Sequence, residues 1–297
     1  MSFHIMNEQT IKELHALISL MDEPGTDNYR SIRQKITDYG KEAIPLLEDA
    51  WMHAGSHGDI NRIEDLIDEI RFNDTYFSLE NWAQFNNHDL IDAFFILTKI
   101  QYPDLDEEKY RQKLDRLKTD IWLEINENLT ALEKVKVLNH IFYEIYKFRG
   151  QFPQNTRIGD FCLNNLLDNK KGSAIALGIL YISMAHKLNI PVFGVDLQQH
   201  FVLAYMEDNQ KIKAPEDYEE REVLFYIAVV NKGSAFTKTE IEHYLRQAHL
   251  QTKPSYFLPS SNLRIAERLI NEMISAYRHD NHEDKAESLI KLLEALN

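Results

Sequence analysis

"NKKGSAIALGILYISMAHKLNIPVFGVDLQQHFVLAYM", residues 169–206, contains the segments on which the fold turns. Its first half, "AIALGILYISMA" (174–185), is apolar almost all round. That pattern predicts a helix sunk in the middle of a core rather than laid on a surface. Its second half holds two β-rich runs, "PVFGVDL" (191–197) and "HFVLAYM" (200–206), the latter opening on a lone histidine, His200. A third apolar run, "VLFYIAVV" (223–230), supplies the next strand. A buried helix followed by a strand bearing a histidine is the layout of a nucleophile and its base. The helix N-terminus carries partial positive charge and draws a thiol toward thiolate, the histidine takes the proton, and a group on the following strand orients the histidine. Here the helix start reads Gly172-Ser173-Ala174.

Upstream of this centre the chain reads as helices. Ile11, Leu14, Leu17, Ile18 and Met21 keep helical spacing over 8–21, and "DEPG" (22–25) stops that helix. Asp27 is the expected cap of the next helix. Gly40 separates it from a helix with an apolar stripe of Ala43, Leu46, Leu47 and Trp51, and "DINRIEDLIDEIRF" (59–72) repeats the pattern. Short antiparallel helices joined by glycine turns suggest a small HEAT-like stack. Three further helices are expected near 87–101, 106–125 and 131–147, with Asp106 as a cap, and "FRGQFPQNTRIGD" (148–160) marks a module boundary. Downstream, residues 211–214 form a short strand in this reading. Thr237 and Glu240 stand in capping-box spacing, and residues 260–297 give two amphipathic helices of the size of one tetratricopeptide unit. The expected fold class is α+β and predominantly α, a buried helix on a small antiparallel sheet with flanking helical modules. The expected domains are a helical region at 1–150, a core at 151–250 and a helix pair at 251–297.

Composition narrows the function. With 33 Lys and Arg against 47 Asp and Glu among 297 residues, the formal charge is −14, which repels nucleic-acid backbones and anionic membranes. Cys162 is the only cysteine, so neither an intramolecular disulfide nor a cysteine-based zinc cage can form. No basic flank and apolar run mark a signal peptide, and no run of about 18 uncharged apolar residues occurs, so a cytoplasmic protein is expected. His53 and His57 have the spacing of two ligands on one helix face, but Gly55 stands between them and no acidic partner follows. His279 and His282 flank a turn. Neither pair is expected to hold a metal. The acidic run "EDYEERE" (216–222) reads as a solvated loop or as a docking surface for a basic partner.

"DFCLNNLLDNKKGSAIALGILYISMAHKLNIPVFGVDLQQHFVLAYM" (160–206) resembles the core of the SirB-type branch of the transglutaminase-like superfamily. Leu163-Asn164, Lys170-Lys171-Gly172, Gly194-Val195 and His200-Phe201 stand at the positions of that branch's leucine-asparagine, basic-basic-glycine, glycine-valine and histidine-phenylalanine motifs. "FYIAVVNKGSAFTKTEIEHYL" (225–245) and the two closing helices resemble the segments that follow in the family. The resemblance implies a papain-like α+β core. It also implies a cysteine nucleophile as the second residue after the helix-start glycine, a proline-glycine before the histidine, and an aspartate or asparagine on the next strand. Here those positions are Ala174, Gln198-Gln199 and Ala228. SirB-type members commonly have proline at the first of them.

The resemblance therefore implies a catalytically inactive member that keeps its cleft as a peptide- or protein-binding or regulatory scaffold. The cleft residues would be Gly172, Ser173, Ala174, Gln198, Gln199, His200 and Asn231, with no cofactor and no metal. The alternative is a hydrolase or acyl-transferase using His200 with Ser173 or Cys162. On the plain reading, Ser173 is a helix cap and Cys162 a small buried hydrophobe.

Overall fold

The computed structural model describes residues 8–22, 27–151, 156–198, 200–207 and 212–296, and the chain divides into two compact units, 1–78 and 79–297. The first unit is built from α1 (Glu8–Ser19), α2 (Asp27–Asp38), α3 (Ile44–Met52) and α4 (His57–Asn81), whose last three residues fall in the second unit. Leu14, Leu17, Ile36, Ala43, Leu47, Ile63, Leu66 and Ile70 form its core. Gly40 makes the break after α2 with φ +61°, a left-handed conformation that costs glycine little. α4 is longer than the expected 59–72. Beyond Ile70 no residue is fully buried until Leu79 and Trp82, although Phe72, Tyr76 and Leu79 keep helical spacing, so the backbone continues the helix past the stretch that reads as its core. His53 follows α3 and His57 opens α4, so their spacing of four does not place them on one helix face.

The second unit carries α5 (Leu90–Gln101), α6 (Glu107–Glu124), α7 (Ala131–Asn139), α8 (Leu163–Asn169) and α9 (Ala174–His186) before the main sheet. The sheet runs β3 (Val192–Leu197), β4 (His200–Met206), β5 (Val223–Ala228) and β6 (Ser234–Phe236), each antiparallel to its neighbour. A two-residue parallel pair, β1 (Arg149–Gly150) with β2 (Lys171–Gly172), sits apart from it. α10 (Lys238–Gln247), α11 (Asn262–His279) and α12 (Glu283–Leu292) complete the chain. Asp106 caps α6 by accepting from the Lys109 N–H at 3.1 Å. At α10, the Glu240 carboxylate accepts from both the N–H and the hydroxyl of Thr237. Residues 212–214 form no strand, and 211 lies outside the described residues.

The interior of the second unit follows from the two-residue period of its strands. On one face Phe201 and Leu203 turn toward α9, every residue of which from Ile175 to Ala185 is buried. A Cβ on Gly178 would lie 2.4 Å from Cε1 of Phe201, so the glycine lets α9 settle against β4. On the other face Phe193, Val195, Leu197, Val202, Ala204 and Met206 join Tyr226, Ile241, Leu245 and Phe257 in a second core closed by α10. The fold is α+β and predominantly helical, with one buried helix on a small antiparallel sheet and helical modules around it. Among the described residues no helix is long and apolar enough to cross a membrane.

Candidate functional site

The start of α9 is assembled from three chain segments. Gly172 pairs with Gly150 through β1 and β2, and its carbonyl accepts from the Gln151 N–H at 2.7 Å. The Ser173 N–H donates to the Asp160 carbonyl at 2.8 Å, while its hydroxyl accepts from the Ala176 N–H at 3.3 Å. That hydroxyl is therefore engaged as the helix cap, in a side chain that is buried. Space is tight: a Cβ on Gly150 would lie 2.7 Å from Cγ1 of Val230, and one on Gly172 3.0 Å from Cδ1 of Leu166. Ala174 is the first residue of α9 and half-buried, so the helix begins on a methyl group.

His200 stands at the same end of the sheet but on the opposite face. It pairs with Leu197, and residues directly opposite in an antiparallel ladder project to one side. Leu197 belongs to the α10 core, and the imidazole accordingly meets Tyr244 of α10 edge-on, with ring centroids 5.0 Å apart. Phe201, one residue on, is the side chain that faces α9. Partial burial, and then the charge of Arg268, push the His200 pKa down, which favours the neutral ring. Arg268 of α11 organises this corner. It pairs with Asp196 and with Glu272, donates to the His200 carbonyl at 3.2 Å and lies over the Phe201 ring. Gln198 turns the hairpin at φ +48° and accepts from the Tyr256 hydroxyl at 2.9 Å. With Asp196, Arg264, Glu267, Arg268 and Asn271 it lines a pocket of about 300 Å³ on the α11 side. Gln199 lies outside the described residues.

Cys162 immediately precedes α8 and is 0% exposed, its thiol directed at the Ile158 carbonyl at 3.5 Å. Burial, with a smaller contribution from Asp160, pushes its pKa up to about 12, so the reactive thiolate is suppressed. Ala228 ends β5 and accepts from the Gly233 N–H at 3.0 Å. Asn231 is exposed and donates to Ser234 at 3.0 Å. The residues picked out in the sequence thus fall into two groups. Gly172, Ser173 and Ala174 lie under 149–151, and α9 also packs near the turn that carries Asn231. Gln198 and His200 lie at the hairpin with α10 and α11.

A set of residues that the sequence did not flag ties the 229–233 turn to the helices. Tyr143 donates to the Val229 carbonyl at 3.0 Å, Asn139 donates to the Gly233 carbonyl at 2.8 Å, and Tyr181 donates to Asn139 at 3.1 Å. Gly233 takes φ +69°, and a Cβ there would lie 1.9 Å from Oδ1 of Asn139. Tyr143 and Tyr181 read as plain core aromatics. The available signal was "NKG" (231–233), a positive-φ turn whose carbonyls need donors. Among the described residues no group of three or more His, Cys, Asp or Glu could hold a metal ion.

Residues 108–271 match the model of the transglutaminase-like superfamily. A UPF0162 protein of Xylella fastidiosa (strain 9a5c) is 21% identical over 204 residues, 66% of this chain and 68% of that protein. F-box only protein 21 of Mus musculus is 24% identical over 111 residues, 37% of this chain and 17% of that protein. The UPF0162 protein of a second Xylella fastidiosa strain, Temecula1, is 22% identical over 120 residues, 40% of this chain and 43% of its own length. No solved structure gives a significant match. The family match covers more than half the chain and spans α9, the four-stranded sheet, α10 and the first half of α11, so the protein belongs to the transglutaminase-like superfamily.

Proposed function

We propose that this chain is a catalytically inactive, SirB-type member of the superfamily, acting in the cytoplasm as a peptide- or protein-binding or regulatory scaffold. In this reading Ala174 replaces the nucleophile, Ala228 replaces the group that orients the base, and His200 is retained without a catalytic task. The closing pair α11 and α12 serves as a tetratricopeptide-like support beside the core. The observation that carries the reading is that α9 begins on a methyl group while the His200 ring rests on Tyr244 across the sheet from that helix. A base must come within about 3 Å of the proton it takes. The Ser173 hydroxyl is held by its cap bond and the Cys162 thiol is fully buried, so neither offers itself in place of the missing cysteine. A formal charge of −14 favours protein over nucleic-acid partners.

The test is labelling of the folded protein with thiol- and serine-reactive electrophiles, wild type against His200→Ala. The expected result is no labelling at Ser173 or Cys162 that depends on His200. Labelling at either residue that vanishes in the variant would replace the scaffold with the alternative, a histidine-assisted hydrolase or acyl-transferase.

A further inference from the structure

We infer that the outer face of α3 and α4 is a docking groove for a basic amphipathic helix of a partner protein. α3 presents Glu48, Trp51 and Met52, and α4 presents Glu64, Ile67, Asp68 and Arg71. Both sets follow the three- and four-residue steps that define one stripe of a helix. Together they line a groove of about 550 Å³ lying wholly within the first unit. Its floor is the buried Ile67, and its apolar wall stays in water, with Trp51 42% and Met52 67% exposed. A large indole and a flexible thioether left side by side in solvent are the groups that protein interfaces use as anchors.

The groove is braced before anything enters it. The Trp51 indole N–H donates to the Glu64 carboxylate at 3.0 Å, and the Arg71 guanidinium donates to the Glu48 carboxylate at 3.0 Å. Because the later residue of α3 bonds the earlier residue of α4, and the reverse, the helices run antiparallel with one tie toward each end. A pre-formed groove spares a ligand the ordering cost of making one.

Charge selects the occupant. The first unit carries 15 Asp and Glu against 7 Lys and Arg, so it holds −8 of the chain's −14 in about a quarter of its length. Arg71, the cation of the rim, faces Glu48, while Asp65 and Asp68 have no ion-pair partner among the described residues. Among the described residues this unit has no strand, so an extended peptide finds no sheet edge to pair with. A helix laid along α3 and α4 with apolar anchors at i, i+3 or i+4, and i+7, flanked by lysine or arginine, matches both the floor and the rim. α3 spans roughly 14 Å, which sets the footprint at two to three helical turns.

The probe is a fluorescein-labelled 16-residue synthetic helix with leucine on one face and lysine on the other, titrated into the full chain by anisotropy. Its twin with glutamate for lysine is run alongside. The expected result is saturable binding of the lysine peptide that weakens with salt, with no binding of the glutamate twin. Asp68→Lys and Met52→Ser, both at exposed positions, should each weaken binding at least tenfold, while Asp115→Lys, an exposed site in the second unit, changes it less than twofold. Circular dichroism confirms that the variants are folded. Equal losses for Asp68→Lys and Asp115→Lys would reduce the effect to bulk charge and overturn the groove, as would unchanged affinity in Met52→Ser or no saturable binding at all. None of these outcomes bears on the α9 site, so the scaffold reading of the core stands or falls separately.

Discussion

The start of α9 and the face of α3 and α4 differ in almost every physical respect. The first is closed: glycines at 150, 172 and 178 exist because neighbouring atoms occupy the space a side chain would need, and the serine between them spends its hydroxyl on the helix backbone. The second is open, with an indole and a thioether in solvent and carboxylates around them. A place that looks chemical in the sequence has been packed as interior, whereas a place that looks like ordinary amphipathic helix has been left unfilled. Substitutions should therefore be destructive at the first and quiet for stability at the second.

The largest contrast is expected at Gly178. Valine there would drive branched carbons into the Phe201 ring, and that ring is pinned from behind, because a Cβ on Gly194 would also lie only 2.7 Å from it. Overpacking costs about 1–3 kcal/mol, and more where, as here, the ring has no room to yield. Gly178→Val should lower the urea midpoint steeply or prevent folding, while Met52→Ser should stay within about 0.5 kcal/mol of wild type. Similar midpoints for the two would remove the distinction between closed and open.

A second contrast lies at the far end of α9. The His186 ring packs edge-on against Phe193, its Nε2 is buried without a partner, and burial pushes its pKa down to about 4. The folded state thus prefers the neutral ring, and the unfolded chain takes up a proton first as the pH falls below about 6.5. Stability from this group is complete above that value and is lost progressively down to the folded pKa. Between pH 7 and 4.5 the loss is about 2–3 kcal/mol. His186→Leu should flatten the denaturation profile over that window by this amount. An unchanged pH slope would mean that water reaches the ring and that α9 is less dry than described.

How much of this was legible in the sequence depends on how local the deciding physics is. The apolar circumference of α9 and the β3–β4 hairpin were legible because they rest on periodicity within a dozen residues. The caps at Asp106, and at Thr237 with Glu240, rest on neighbours three residues away. The β1–β2 pair was not legible, since two residues carry no period and their partnership joins segments 22 residues apart. The face chosen by His200 was also hidden. A shift of one residue in strand register moves every side chain to the other side of a sheet, and register is set by pairing across the hairpin rather than by the strand's own letters. The groove escaped notice for another reason: Trp51 reads as part of the apolar stripe it shares with Leu47, yet it is 42% exposed beside Glu48 and Met52 at the margin of the core, and only the neighbouring helix turns that margin into a wall.

The smallest expected effect tests the site most directly. Ala174→Cys would place a thiol at the N-terminus of α9, where the helix dipole favours the thiolate. Its pKa should fall about one unit below the ordinary 8.5. It should then alkylate at neutral pH far faster than Cys162, which is buried with its own pKa near 12. If the sheet separates the ring of His200 from the helix start, adding His200→Ala should leave the pH dependence of that alkylation unmoved, because the helix alone supplies the shift. If the second substitution instead raises the thiol pKa by a unit or more, the two residues communicate, and the core is one atom short of a catalytic pair rather than rebuilt as a scaffold. The helix terminus lowers a thiol pKa whatever happens to His200, so the double variant, and not the single one, separates an inherited electrostatic field from an inherited mechanism.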